Sequence, residues 1–218
     1  MSEQHPHRPA HRGDPSLLRS QPPPCAVMFD FDGTLIDMSP FSAELRTASP
    51  DRWRRFSAHT PQAKPVTAGL NLLNRVDALG WQYTVSTTRP ARARELVTDW
   101  LAAHRPLSGN PPAEVLFRKK GMDGLGPAVE HKVRHARRRQ DSNQNPLVTV
   151  LFIEDEAGLI DVLNDRGVPA IHLDEVADLT DTELADLLDY SRTSRLKQWH
   201  ERHRAATEGR PREETHHR

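Results

Sequence analysis

Val27-Met28-Phe29-Asp30-Phe31-Asp32-Gly33-Thr34-Leu35 runs an apolar stretch straight into two aspartates one residue apart, followed by a glycine turn. Strand side chains alternate between faces, so both aspartates serve one site only if the strand stops at Asp30 and the loop redirects Asp32. The motif therefore belongs at a strand's C-terminal edge, which in an open parallel sheet is where ligands bind. Two carboxylates held together in an apolar setting are costly unless a cation offsets them. Mg2+ is the expected ion.

Working outward, the first strand is Ala26 to Asp30. Short helical pieces are expected near Phe41 to Arg46 and Asp51 to His59, with Ser49-Pro50-Asp51 as a turn and helix start. Val66, Leu70, Leu73, Val76 and Leu79 recur at helical spacing until Gly80 ends the pattern. Trp81 to Thr87 reads as the second strand, and Pro90 opens a helix carrying Leu96, Val97, Trp100 and Leu101. Glu114 to Phe117 is a short third strand, and Ala128 to Arg139 is a helix. Leu147 to Ile153 is a continuous apolar run of the kind found in a central parallel strand. Gly158 to Arg166, Ala170 to Leu173 and Thr180 to Tyr190 continue as helix, strand and helix. This alternation predicts an α/β fold, a doubly wound Rossmann-like parallel sheet.

The chain has 218 residues, enough for one substantial core. One domain is expected over residues 25–190, with a disordered tail over 1–24 and a polar, partly helical tail over 191–218. No apolar run approaches the roughly 20 residues of a membrane span, and the N-terminal stretch has no apolar segment resembling a secretory signal. The lone Cys25 excludes an internal disulfide framework. Soluble, cytoplasmic protein is the expectation. The formal net charge is +0, but charge is unevenly spread. Phe117 to Arg139 holds eight Lys or Arg against two acids, whereas Leu147 to Tyr190 sets Arg166 alone against twelve acids. Such a basic segment either faces a polyanion or is the solvated end of a helix.

Four clusters carry chemistry. Asp30-Phe31-Asp32-Gly33-Thr34 is followed by Tyr83-Thr84-Val85-Ser86-Thr87-Thr88-Arg89-Pro90, by Lys132 within Val129-Glu130-His131-Lys132-Val133, and by Phe152-Ile153-Glu154-Asp155-Glu156. Alone, a threonine-rich strand is usually only a strand and a bare lysine usually solvated. In this order, each on a strand end or helix start, the four resemble the motifs of the haloacid dehalogenase superfamily of phosphohydrolases. The likeness covers Ala26 to Leu173 and implies that superfamily's fold with a minimal cap, the short insert at about 38–64.

The resemblance also implies roles. Asp30 would be the nucleophile of a phospho-aspartate mechanism, and Asp32 would protonate the leaving group and then activate water. Gly33 and Thr34 would lie against the phosphate. Thr87 would hydrogen-bond the transferring phosphoryl group, with Ser86 the alternative, since Thr88 stands where a T/S-G-R pattern has glycine and Arg89 matches its arginine. Lys132 would neutralise charge, with Lys119 or Lys120 as substitutes. Mg2+ would be held from among Asp30, Asp32, Asp155 and Glu154, with Asp161 more remote.

A short insert leaves a cleft open, which suits a phosphate at the end of a large molecule. Within the superfamily the likeness is to the 3′-phosphatase domain of polynucleotide kinases, carried by Trp81 to Arg89, Thr98, Trp100, Phe117-Arg118, Lys132, Ile153-Glu154-Asp155, Val162 and Arg166-Gly167-Val168. No G-x-x-x-x-G-K-[ST] occurs, so it extends to the phosphatase half alone. It implies Mg2+-dependent removal of a nucleic-acid terminal phosphate, with Arg89 and Arg118 on substrate phosphates and Thr88 among the substrate-binding residues. Two alternatives stand beside it: hydrolysis of a nucleotide or other small phosphomonoester, and a non-catalytic binding module on the same fold. Gly121 to Gly126 does not open a helix after the first strand and reads as a loop. His131 and His135, spaced as in zinc sites but without a third ligand, read as surface histidines.

Overall fold

The computed structural model describes residues 25–104, 109–118, 128–137 and 148–192. β1 (Cys25–Asp30) is followed by a two-residue strand β2 (Ile36–Asp37), a 3-10 helix over Ser39–Arg46, α1 (Arg52–Ala58), a 3-10 turn over Thr60–Gln62 and β3 (Lys64–Pro65). α2 (Thr67–Ala78), β4 (Gln82–Pro90), α3 (Arg94–Ala103), β5 (Glu114–Arg118) and α4 (Ala128–Arg137) come next. β6 (Val148–Glu154), α5 (Ala157–Asp165), β7 (Ala170–His172), α6 (Leu173–Val176) and α7 (Asp181–Arg192) complete the described chain.

The main sheet has five strands in the order β5-β4-β1-β6-β7, and every pairing is parallel. β1 lies at its centre because it is apolar on both faces. Val27 and Phe29 enter a core with Leu72, Leu73 and Val76 of α2, Val97 and Trp100 of α3, and Leu187 and Leu188 of α7. Met28 points into a second core with Val129 and Val133 of α4 and Ile160 and Leu163 of α5. Helices thus cover both faces, as the alternation of elements predicts. Phe29, Leu151 and Phe152 are fully buried, and each such side chain contributes about 1.5–3 kcal/mol by leaving water. β1 has β4 on one side and β6 on the other, so its C-terminal end faces the crevice.

β2 and β3 form an antiparallel ribbon, pairing Ile36 with Pro65 and Asp37 with Lys64, and the insert leaves and returns through it. Asp37 accepts from both the backbone N–H and the hydroxyl of Ser39 at 2.9 and 2.6 Å, and these bonds hold its carboxyl below the usual range. The short helical piece expected near Phe41 to Arg46 is a 3-10 helix over Ser39–Arg46. β4 continues to Pro90, whose extended backbone ends the strand, and α3 begins only at Arg94. α6 was not anticipated. It is started by His172, whose ring accepts from the N–H of Asp174 while Glu175 reaches back to the His172 N–H. The expected tails, apart from Ser191 and Arg192 in α7, and the Gly121 to Gly126 loop lie outside the described residues.

No helix among the described residues is long and apolar enough to cross a membrane.

Candidate active site

Asp30 ends β1 and Glu154 ends the neighbouring β6, so register alone brings their carboxylates together at the C-terminal edge. Lys132 projects from α4 between them, its Nζ 3.2 Å from Oδ2 of Asp30 and 2.5 Å from Oε2 of Glu154. All three are nearly sealed from solvent, at 4%, 1% and 4% exposure. Burial pushes the Asp30 carboxyl well above its usual range despite the pull of Lys132, and Glu154, Asp32 and Asp155 push it further. Glu154 is raised by burial too, against the lowering effect of Lys132. Burial opposes charge on Lys132, but Asp30 and Glu154 outweigh it and the ammonium is held above its ordinary value. The lysine stays charged.

Asp155 follows Glu154 and is exposed. Its Oδ1 accepts from the Thr34 hydroxyl at 3.2 Å, and its backbone carbonyl accepts from Nε2 of His172 at 2.8 Å. Glu154 Oε1 accepts from the N–H groups of Asp155 and Glu156 at 3.1 and 3.3 Å, which fixes the turn. Gly33 faces the same carboxylate from the other side. Its φ is +89°, and a Cβ there would lie 2.0 Å from Oδ2 of Asp155. The glycine read as clearance for a phosphate is also clearance for Asp155.

Asp30, Glu154 and Asp155 each place a carboxylate oxygen within 4.8 Å of the others. Opposite ligands on a Mg2+ octahedron lie ~4.2 Å apart, and hard oxygen donors are its preferred set. Three carboxylates, two of them buried, stand against one ammonium, and a divalent cation would offset the remaining negative charge. The donor set fits Mg2+.

Asp32, also expected as a ligand, is not in that cluster. The loop turns its carboxylate to Arg89, whose Nη2 lies 2.6 Å from Oδ1 and whose Nε lies 3.1 and 3.2 Å from the two oxygens. Thr87 donates its hydroxyl to Asp32 Oδ2 at 3.2 Å and accepts the N–H of Arg89 at 3.2 Å. Thr87 and Arg89 thus act from one face of β4, with half-buried Thr88 between them. The expectation that Arg89 reaches substrate phosphates is corrected: it is 0% exposed, and its guanidinium is spent on Asp32. Arg118, expected in the same role, is 7% exposed and lies 4.7 Å over the Trp53 ring of α1.

Ser86, the alternative to Thr87, is turned away from Asp32. Its hydroxyl pairs with Nδ1 of His135 at 2.9 Å, and His135 Nε2 reaches the Phe117 carbonyl at 3.1 Å. A carbonyl only accepts, so the proton sits on Nε2 and Nδ1 accepts from serine. His131 and His135 are 2% and 5% exposed, so the surface reading of both is wrong. They lie about 200° round α4 from Val129 and Val133, on the face that the apolar period marks as exposed, and His135 is covered there by its partners on β4 and β5. Of the basic segment's described cations, Lys132 and Arg118 are buried while Arg134 and Arg137 are exposed. Lys119, Lys120, Arg138 and Arg139 lie outside the described residues. Asp161 is exposed on α5 and takes no part in the acidic cluster. Thr60, Phe56 and His172 carried no sequence signal: each is an ordinary residue placed by the fold.

No protein-family model matches the sequence, and no curated protein does. Among solved structures, a chain of the Pnkp1/Rnl/Hen1 RNA repair complex is similar at a TM-score of 0.50 and 16% identity, over 69% of this chain and 42% of that one. This chain therefore spans less than half of that neighbour's length. The class C acid phosphatase from Bacillus anthracis with tungstate bound matches at 0.47 and 15%, over 82% of each chain. A haloacid dehalogenase superfamily hydrolase from Ehrlichia chaffeensis matches at 0.39 and 12%, over 70% of this chain and 88% of that one. With its five parallel strands and helices on both faces, the chain has an α/β, Rossmann-like fold, similar to that of a chain of the Pnkp1/Rnl/Hen1 complex.

Proposed function

We propose that this chain is a Mg2+-dependent phosphomonoesterase working through a phospho-aspartate on Asp30, with a phosphate at a nucleic-acid end as substrate. The observation that carries the reading is the convergence of Asp30, Lys132, Glu154 and Asp155 at one strand edge, with Asp32 held apart by Arg89.

The division of labour follows from that separation. An Asp30 oxygen attacks phosphorus, and the ester P–O bond breaks with its electron pair going to the leaving oxygen, which takes a proton from Asp32. Water then attacks phosphorus, giving its proton to Asp32, and the bond to the Asp30 oxygen breaks to release phosphate. Lys132 offsets the charge of Asp30 and of the transferring group. Thr87, with Gly33 and Thr34, stands beside the reacting group. Asp30, Glu154 and Asp155 would hold a divalent cation, which would supply further charge neutralisation. The nucleic-acid end is favoured by the short insert and by the fold shared with a chain of an RNA repair complex.

The test is phosphate release, with Mg2+ and with EDTA, from 3′- and 5′-phosphorylated oligonucleotides, nucleoside monophosphates and sugar phosphates, by wild type and by Asp30→Asn. Metal-dependent release from the 3′-phosphorylated oligonucleotide, abolished in the variant, is expected. Reaction of the small phosphates alone would reject the nucleic-acid end. Equal, negligible turnover by both proteins would leave a binding module.

A further inference from the structure

Arg89 is the largest fully buried side chain of the described residues, and a buried guanidinium is sustainable only when its donors are matched. Asp32 takes Nε and Nη2. Nη1 does not turn toward Asp32 or toward solvent: it donates to Oγ1 of Thr60 at 2.5 Å. Thr60 belongs to the insert, in the 3-10 turn between α1 and β3, and is 0% exposed. Its own proton goes to the Ser57 carbonyl at 2.6 Å, so the hydroxyl has only lone pairs left for Arg89. The Phe56 ring, on α1, lies 5.1 Å from the guanidinium carbon, as does Phe31 of the β1 loop. The insert therefore supplies one hydrogen-bond acceptor and one aromatic face to the group that orients Asp32.

We propose that Thr60 is a positioning residue for proton transfer: through Arg89 it sets the angle of the Asp32 carboxylate, so the insert is part of the acid–base machinery rather than only a cover. The proposal rests on the reading of Asp32 as the proton carrier. Asp32 is a quarter exposed, and both of its oxygens are held by a planar fork that fixes direction as well as distance. Removing the Thr60 acceptor leaves Nη1 buried without its partner, and the fork must rotate to find another. Asp32 rotates with it. A tilted acid harms most those leaving groups that need a proton to depart.

The test compares an aryl phosphate with a good leaving group, p-nitrophenyl phosphate, and an alkyl phosphate with a poor one, glycerol phosphate. For Thr60→Val and for the smaller Thr60→Ala, turnover of the alkyl ester is expected to fall about 10- to 100-fold while that of the aryl ester falls less than about 3-fold. Thr60→Ser, which keeps the oxygen, restores the ratio. An equal fall on both esters, or no change on either, overturns the proposal. Asp32→Asn separates the two failures. If it skews the ratio while Thr60→Val and Thr60→Ala do not, the coupling through Arg89 is wrong and the role of Asp32 stands. If Asp32→Asn leaves the ratio unchanged, the proton-carrier reading falls and the proposal falls with it.

Discussion

Lys132 places its ammonium 3.2 Å from Oδ2 of Asp30 with neither side chain more than 6% exposed, so the proposed nucleophile is held beside a fixed positive charge before any ligand arrives. Removing one member of a buried ion pair leaves the other uncompensated, at a cost of about 3–5 kcal/mol. Lys132→Met should destabilise the chain by that amount in chemical denaturation, and phosphate release should fall with it. A variant as stable as wild type would show that the pair is not sustained in solution.

The buried acids make stability depend on pH. Asp30 and Glu154 titrate above the ordinary carboxylate range, so the folded chain binds their protons more tightly than the unfolded chain does. Their contribution is present below the unfolded pKa and is lost as pH rises through the raised folded values. A cation binding the ionised carboxylates opposes that loss. The rise in Tm produced by Mg2+ over EDTA should therefore grow as pH rises above the ordinary carboxylate range, with ~2.7 kcal/mol of stabilisation expected at ion concentrations 100-fold above Kd. A rise that shrinks with pH would remove the acidic cluster from consideration as the metal site.

Gly69, at the start of α2, packs on the loop after β1 so closely that a Cβ would sit 1.7 Å from the carbonyl oxygen of Thr34. Gly69→Ala must push the helix or the loop. A loss of about 1–3 kcal/mol is expected, with reduced turnover because Thr34 carries the bond to Asp155. Wild-type denaturation and activity together would show that the contact relaxes freely.

Ser86 and Thr87 are neighbours with opposite assignments. Ser86→Ala should cost about 1 kcal/mol of stability by releasing its bond to His135, and leave turnover within about 3-fold. Thr87→Val should lower turnover about 100-fold, far beyond what the roughly 1–2 kcal/mol lost with its own two hydrogen bonds would do to the folded fraction. Steady-state kinetics beside thermal unfolding of both variants decides it, and the reverse result would hand the role to Ser86.

What was legible in the sequence was whatever follows from period or from local chain direction. The apolar run before Asp30, the spacing of Leu70, Leu73 and Val76, and the run before Glu154 each state an element and its end. Since the elements alternate, they also state that Asp30 and Glu154 share an edge. Two-residue strands such as β2 and β3 have no period to read, so the ribbon was invisible. Arg89 was misread for a different reason. A cation beside a phosphate site and one buried behind an aspartate look alike in sequence, because what separates them is Thr60 and Phe56, contributed from about thirty residues away. The same holds for His135, whose partners lie on β4 and β5.

The ribbon of β2 and β3 gives the insert a single doorway. Its two ends stand side by side at Ile36–Pro65 and Asp37–Lys64, so its length is decoupled from the registration of the main sheet. Longer or shorter segments can be spliced there in a chimera without re-threading a core strand. Any transplant must still return an oxygen to the point now occupied by Thr60, which makes that one atom the compatibility rule for exchanging the segment.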